Sequence, residues 1–480
     1  MKKHDVTPVL DIFHQLNQIP RPSHHEEKAA DFLCRFAEKL GLEYERDAQN
    51  CVVIRKPATP GHENAEPIVI LNHMDMVCVS EPGKDFHPLT DAIEAYVEDG
   101  WMKARGTSLG ADNGIGLSMA LAILQDDTLV HGPIEVLTTT NEEDGISGAS
   151  ALSPDFIRGR KVLNLDSEDY DTITIGAAGA YLQRARIAFK REEVPEGYVF
   201  RKLQITGGRG GHSGVDINKT RINANKRLGK FLFSGSQAIS IVLVSFNGGD
   251  ASASIASSAT AVIGVKEKDL PVLEEQVEFL SETLQKIYEP TDPNIKVVLE
   301  PVEKPDFIIE REAAMSLLSA LDMIPSGVFK MHEQLENTVM TSNNIGLVRT
   351  EDDAIMLTLH TRSFSNEELE KWSNSFAFIL TLEGFDTENI MNAPSWQENP
   401  DSPFLKLVDQ TFQDVLHFSP RKVAMHFVLE AGYYVQKYPG IQIACIGPRI
   451  VEPHSTQERV EMSTIENIWQ VVTELLERLA

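Results

Sequence analysis

The chain opens with apolar positions at helical spacing. Val9, Leu10, Ile12, Phe13 and Leu16 recur three and four apart and predict a helix that ends at Asn17-Gln-Ile-Pro-Arg-Pro. Ser23 precedes a second predicted helix over 26–39, with Glu26 as its capping-box partner and Ala30, Phe32, Leu33, Phe36 and Leu40 as its apolar face. The pattern then turns to short apolar runs: Cys51-Val-Val-Ile, Pro67-Ile-Val-Ile-Leu, Ile134-Glu-Val-Leu-Thr-Thr-Thr and Val162-Leu-Asn-Leu-Asp. Unbroken runs of this kind belong to strands buried on both faces. A helix predicted over 116–124 lies between two of them. The alternation indicates an α/β sheet with helices on both faces.

From about Gln183 the texture changes. Leu182-Gln-Arg-Ala-Arg-Ile-Ala-Phe, Arg201-Lys-Leu-Gln-Ile-Thr, Ile239-Ser-Ile-Val-Leu-Val-Ser-Phe and Ala354-Ile-Met-Leu-Thr-Leu-His-Thr alternate as half-exposed antiparallel strands do. Helices are predicted among them over 272–287 and 366–380. The α/β style returns from Ser402, with helices over 404–416 and 463–479 around the strand Ile441-Gln-Ile-Ala-Cys-Ile-Gly. The simplest organisation is one α/β domain built from residues 1–182 and 396–480. Residues 183–395 form an inserted α+β domain with an antiparallel sheet.

Composition narrows the partners. The 480 residues carry 44 Lys and Arg against 71 Asp and Glu, a net charge of −27, with 42% apolar and 24% charged residues. That acidity argues against nucleic acid or an anionic membrane as the main partner, since both need a basic patch. No segment reaches the roughly 18 apolar residues of a membrane span. Met1-Lys-Lys-His is followed by no apolar core, so no secretory leader is expected. Cys34, Cys51, Cys78 and Cys445 are scattered, without a CxxC pair, as in a reduced compartment. A cytoplasmic location is the expectation.

Polar residues gather where the buried strands end. His73 and Asp75 lie two apart and can point the same way. Asp112 sits in the glycine-dense Leu109-Gly-Ala-Asp-Asn-Gly-Ile-Gly, Glu142-Glu143 follow a strand, Asp166 ends another, and His454 comes from the far end of the chain. Each alone could be structural. Converging at one sheet edge, the carboxylates would repel one another unless a cation neutralised them. Imidazoles with carboxylates suit zinc, with cobalt or manganese as substitutes. Gly207-Gly-Arg-Gly-Gly-His212 lacks the Lys-Ser/Thr pair of a phosphate loop, and no dinucleotide fingerprint follows the first buried strand.

In order, His73-Met-Asp75, Gly106-Thr-Ser-Leu-Gly-Ala-Asp112-Asn-Gly, Asn141-Glu142-Glu143-Asp-Gly, Asn164-Leu-Asp166-Ser-Glu and Pro453-His454-Ser resemble the five motifs of the di-zinc peptidases. That superfamily groups dipeptidases, aminoacylases and glutamate carboxypeptidases. Ala104-Arg-Gly-Thr-Ser-Leu-Gly-Ala-Asp-Asn-Gly-Ile-Gly and Gly210-Gly-His-Ser-Gly resemble its aminoacyl-histidine (Xaa-His, carnosinase-like) dipeptidase branch. The resemblance implies a three-layer catalytic domain with a mixed sheet and an inserted lid, and it covers essentially the whole chain.

It also implies roles. Asp112 bridges two zinc ions. His73 and Asp166 complete one site, and Glu143 and His454 the other. Glu142 is the general base toward a metal-activated water, and Asp75 orients His73. His212 in the lid stabilises the oxyanion, from the same chain or from a partner subunit, which brings in a homodimer as an expectation. Asn343 and Arg362 match substrate-clamping positions. Glu430 and Gly432 match a glycine-containing loop near the substrate. Phe427-Val there departs from the small residues common in the family. The expected reaction is hydrolysis of short unblocked dipeptides of Xaa-His type, such as β-alanyl-histidine. The alternatives are an N-acyl amino-acid deacylase or a tripeptidase with the same centre, or a scaffold that had lost a ligand or the base.

Overall fold

The computed structural model describes residues 4–397 and 399–480. Met1, Lys2 and Lys3, where the absence of a secretory leader was read, lie outside the described residues. The chain divides into two compact units. The first comprises Met1–Gly176, Gln397–Ala424 and Leu429–Ala480, and the second Ala177–Trp396 and Met425–Val428. The boundaries differ from the expected 182 and 396 for a local reason. The second unit's antiparallel sheet already begins with the strand Gly179–Ala188. Four residues of the C-terminal segment also join that unit, where Ala178 donates its N–H to the Met425 carbonyl at 2.8 Å.

The first unit is built on an eight-stranded mixed sheet. Its order is Glu43–Arg46, Val52–Lys56, Ile134–Thr139, Ile68–His73, Lys161–Asn164, Gln442–Cys445, Thr172–Ala177 and Arg421–Met425. Four strands run parallel, with His73 opposite Thr139 and Leu71 and Cys445 both opposite Asn164. Their carboxyl ends therefore share one edge. Val52–Lys56, Ile68–His73, Ile134–Thr139 and Thr172–Ala177 are buried along their whole length, as expected of strands covered on both faces. The helix Ala111–Gln125 is buried nearly all round and packs in one core with Thr7–Leu16 and Met462–Leu479.

A small antiparallel sheet, Ile450–Val451, Arg459–Glu461, Trp101–Ala104 and Ala95–Glu98, brings the end of the chain beside the segment that leads to Asp112. The expected capping box does not form. Glu26 occupies the N-cap of the helix Glu27–Leu40 without capping it, its side chain accepting the Asn141 N–H at 2.9 Å, and the Ser23 hydroxyl donates to Asp75 Oδ2 at 2.7 Å instead.

The second unit carries a nine-stranded sheet, antiparallel at every pairing described. The helices Ala224–Ser236, Leu270–Tyr288, Arg311–Met323 and Asn366–Leu382 contribute to its core. Among the described residues no helix is long and apolar enough to cross a membrane.

Candidate metal centre

The parallel strands deliver their polar residues to one edge. His73 ends its strand, the Asn141–Glu143 turn follows Thr139, and Asp166 lies two residues beyond Asn164. Asp112 stands at the start of the helix Ala111–Gln125, where it and Asn113 depart from helical backbone angles.

Asp112 lies between two imidazoles. His73 Nε2 is 3.2 Å from its Oδ1, and His454 Nε2 is 3.2 Å from its Oδ2. His73 Nε2 also lies 3.3 Å from Asp166 Oδ1, and His454 Nε2 2.8 Å from Glu143 Oε2. Two donor sets result, His73 with Asp112 and Asp166, and Asp112 with Glu143 and His454. Within each set the ligand atoms lie within 4.8 Å of one another. Glu143 Oε1 is buried without a hydrogen-bond partner, an acceptor that a cation would satisfy. The residues therefore fit a pair of metal ions sharing Asp112.

The electrostatics describe the same crowding. Burial pushes the Asp166 carboxyl up to about 7 against the pull of His73, with Asp112 and Glu143 adding to the rise. Burial likewise holds Glu142 well above the usual carboxylate range, with Asp166, Glu430 and Glu143 adding repulsion. His454 is pushed up to about 11 by its hydrogen bonds to Asp112 and Glu143. Burial opposes charge on His73, but Asp166, Asp112 and Asp75 outweigh it and raise its pKa well above the ordinary value.

Asp75 does more than face His73, whose Nδ1 lies 3.4 Å from Asp75 Oδ1 and 3.1 Å from the Asp75 carbonyl. Its carboxylate also accepts the N–H of Glu142 at 3.1 Å and of Glu143 at 3.2 Å. It thereby sets the turn that separates the two glutamates. Asn113 went unremarked in the sequence. It donates to the Leu165 carbonyl at 2.7 Å and to the Asp166 carboxylate, so the residue after Asp112 holds another member of its donor set.

Glu430 is buried in this unit, not in an open loop. It accepts from Thr139 Oγ1 at 2.8 Å and from the Tyr434 hydroxyl at 3.2 Å, and burial pushes its carboxyl up to about 8. Gly432 likewise lies in the helix Ala431–Lys437, which replaces the expected glycine-containing loop. Tyr434 and Tyr438 of the same segment are themselves buried, their rings stacked with centroids 6.2 Å apart.

The second unit holds the remaining candidates. His212 Nδ1 accepts the N–H groups of Gly214 and Val215, both at 3.3 Å, which leaves the proton on Nε2. Burial and the nearby Arg362 lower its pKa, which disfavours the protonated ring. Arg362 is almost fully buried, and among the described residues no carboxylate pairs with it. Only the Ser213 hydroxyl stands 3.4 Å from its Nε and Nη2. His360 and His426, not singled out in the sequence, are buried close enough to feel its charge. Asn343 is spent internally, donating to the Pro325 carbonyl at 2.8 Å and accepting from Thr361 Oγ1 at 3.2 Å.

The family model for peptidase family M20/M25/M40 matches residues 69–478, and the chain belongs to that family. It is 35% identical over 473 residues to the cytosol non-specific dipeptidase of Escherichia coli, covering 98% of this chain and 97% of the relative. The crystal structure of aminoacylhistidine dipeptidase from Vibrio alginolyticus superposes with a TM-score of 0.92 at 32% identity, over 98% of this chain and 96% of that one. The aminopeptidase PepT of Bacillus cereus shares the fold at a TM-score of 0.60 and 16% identity, over 99% of both chains.

Proposed function

We propose that the protein is a metal-dependent dipeptidase acting on short unblocked dipeptides, those of Xaa-His type such as β-alanyl-histidine among them. The observation that carries this reading is the pair of donor sets joined at Asp112, with the Glu142 carboxyl close enough to feel the charges of His73, Asp166 and Glu143 and outside both sets. The two relatives named as dipeptidases, each matched along nearly its whole length, support dipeptides over an acylated or longer substrate.

His73, Asp112, Asp166, Glu143 and His454 would hold two divalent cations, zinc by donor type with cobalt or manganese as substitutes, which supply a Lewis acid for the scissile carbonyl and acidify water. Glu142 takes a proton from water and passes it to the leaving amine. Asp75 keeps Glu142 and Glu143 divergent by holding both of their backbone N–H groups. The Nε2–H of His212 is a neutral donor suited to a developing oxyanion. The guanidinium of Arg362 is suited to a terminal carboxylate. Asn343 acts behind them, joining the strands Val339–Thr350 and Ala354–Ser363 through Thr361. A cytoplasmic site of action is supported by the four free cysteines and by the likeness to a cytosol dipeptidase of Escherichia coli.

The test is a substrate panel with Glu142→Gln. Wild-type protein should cleave β-alanyl-histidine and other dipeptides far faster than Gly-Gly-Gly or acetylated amino acids. Glu142→Gln should keep its bound metal while kcat falls by roughly 10²–10⁴. Absence of dipeptide cleavage by the metal-loaded protein would overturn the reading, and unchanged kcat in the variant would overturn the role of Glu142.

A further inference from the structure

The start of the helix Ala111–Gln125 has an unusual guest. A helix N-terminus leaves several backbone N–H groups without partners inside the helix. Here four consecutive backbone N–H groups, two from the turn before the helix and two from its first residues, converge on a single carboxylate from the far end of the chain. Glu458 Oε2 accepts from Leu109 at 2.7 Å and from Gly110 at 2.9 Å. Its Oε1 accepts from Ala111 at 2.8 Å and from Asp112 at 3.3 Å. Glu458 is buried. Its two oxygens are therefore committed to the loop that carries the shared residue of both donor sets.

Arg21 grips the same loop from the other side. It too is buried, and its Nη2 donates to the Gly110 carbonyl at 2.7 Å. Its Nη1 donates to the carbonyls of Met74 and Asp75, both at 3.1 Å, just beyond His73. Gly110 is thus held by its N–H through Glu458 and by its C=O through Arg21. The space for the guanidinium exists only because residues 110 and 114 are glycines. A Cβ would stand 2.6 Å from Arg21 Nη2 at Gly110 and 2.7 Å at Gly114. The φ of +67° at Gly110 also favours glycine.

We propose that Arg21 and Glu458 are paired positioning residues that fix the Asp112 carboxylate between His73 and His454. Arg21 ties the loop to the strand end that carries His73. Glu458 ties it to His454, four residues earlier on the same bend. The charges have a reason. Four N–H donors demand an acceptor without hydrogens, which a carboxylate is and an amide is not. A buried carboxylate so near Asp112 is costly unless it is hydrogen-bonded and opposed by a cation, and Arg21 is that cation.

This inference rests on reading Asp112 as a metal ligand, and the experiment separates the two. Apo protein is titrated with Co²⁺, followed by its visible absorption and by calorimetry, for wild type, Glu458→Gln, Arg21→Lys and Asp112→Asn. Glu458→Gln and Arg21→Lys should lose roughly 10–100-fold in Co²⁺ affinity with an altered absorption band, and kcat should fall while KM holds. Should Glu458→Gln fail to fold, Arg21→Lys reads the same loop from the opposite side. Wild-type affinity and spectrum in a folded Glu458→Gln or Arg21→Lys, with affinity lost in Asp112→Asn, overturn the positioning role alone. Wild-type affinity in Asp112→Asn overturns the metal site itself, and the inference with it.

Discussion

His426 lies 2.8 Å from the Ser342 hydroxyl, buried in the second unit, and burial followed by the charge of Arg362 pushes its pKa down to about 3. An unfolded histidine takes up its proton near 6.5, so between that pH and about 3 the unfolded chain binds one proton more than the folded one. The contribution to stability is therefore full above 6.5 and is lost as pH falls, with a slope of about 1.4 kcal/mol per pH unit while the difference lasts. His426→Gln should flatten the acid limb of the stability profile by that slope. Denaturant unfolding at stepped pH measures it, and an unaltered slope would contradict a buried neutral ring. The five residues that gather into the two donor sets were legible because each stands in a short motif with a distinctive neighbour. Ser23 misled because capping is a local rule. A serine three residues before Glu26 satisfies it, yet the buried Asp75 carboxylate needed a donor more than the helix needed a cap. Arg21 and Glu458 were silent because their partners are backbone groups far along the chain, which no spacing reveals.

Among the elements, the helix Ala111–Gln125 shows what packing adds to pattern. It is apolar on all sides, so it has no amphipathic face to say what it meets. Gly116 answers that. A Cβ there would stand 2.2 Å from the Leu165 carbonyl, next to Asp166. Helix and strand end touch backbone to backbone, and that approach sets the distance from Asp112 to Asp166. Gly116→Ala should cost about 1–3 kcal/mol, read as a lower denaturant midpoint, because the obstacle is main chain and cannot rotate away. A variant as stable as wild type would mean that the helix can shift freely. The sheets were legible by style, unbroken apolar runs in one unit and alternation in the other. Their order was not, since the strand Gln442–Cys445 inserts between Lys161–Asn164 and Thr172–Ala177.

For the molecule as a whole, metal and fold are linked. Few of the 71 acids stand at the centre, so the net charge of −27 belongs mostly to the surface. The centre nonetheless gathers segments from both ends of the chain, and a cation bound there at 100 times its dissociation constant adds about 2.7 kcal/mol per site. Chelation should lower the melting temperature and abolish peptidase activity, and added zinc should restore both. A chelated protein with unchanged melting temperature and activity would show that the donor sets hold no functional ion.

The late arrival of Gln442–Cys445 in the middle of its sheet also bears on how the protein is made. On the ribosome, Lys161–Asn164 is synthesised long before its neighbour and must wait while all of Ala177–Trp396 emerges. Until then it presents unpaired backbone groups along a strand rich in apolar neighbours, the kind of surface that invites pairing with other chains. The inserted unit, contiguous apart from Met425–Val428, can gather its own core during that wait. The unit that holds the donor sets is thus the last to close, and the nascent chain passes through a period in which chaperones have most to protect.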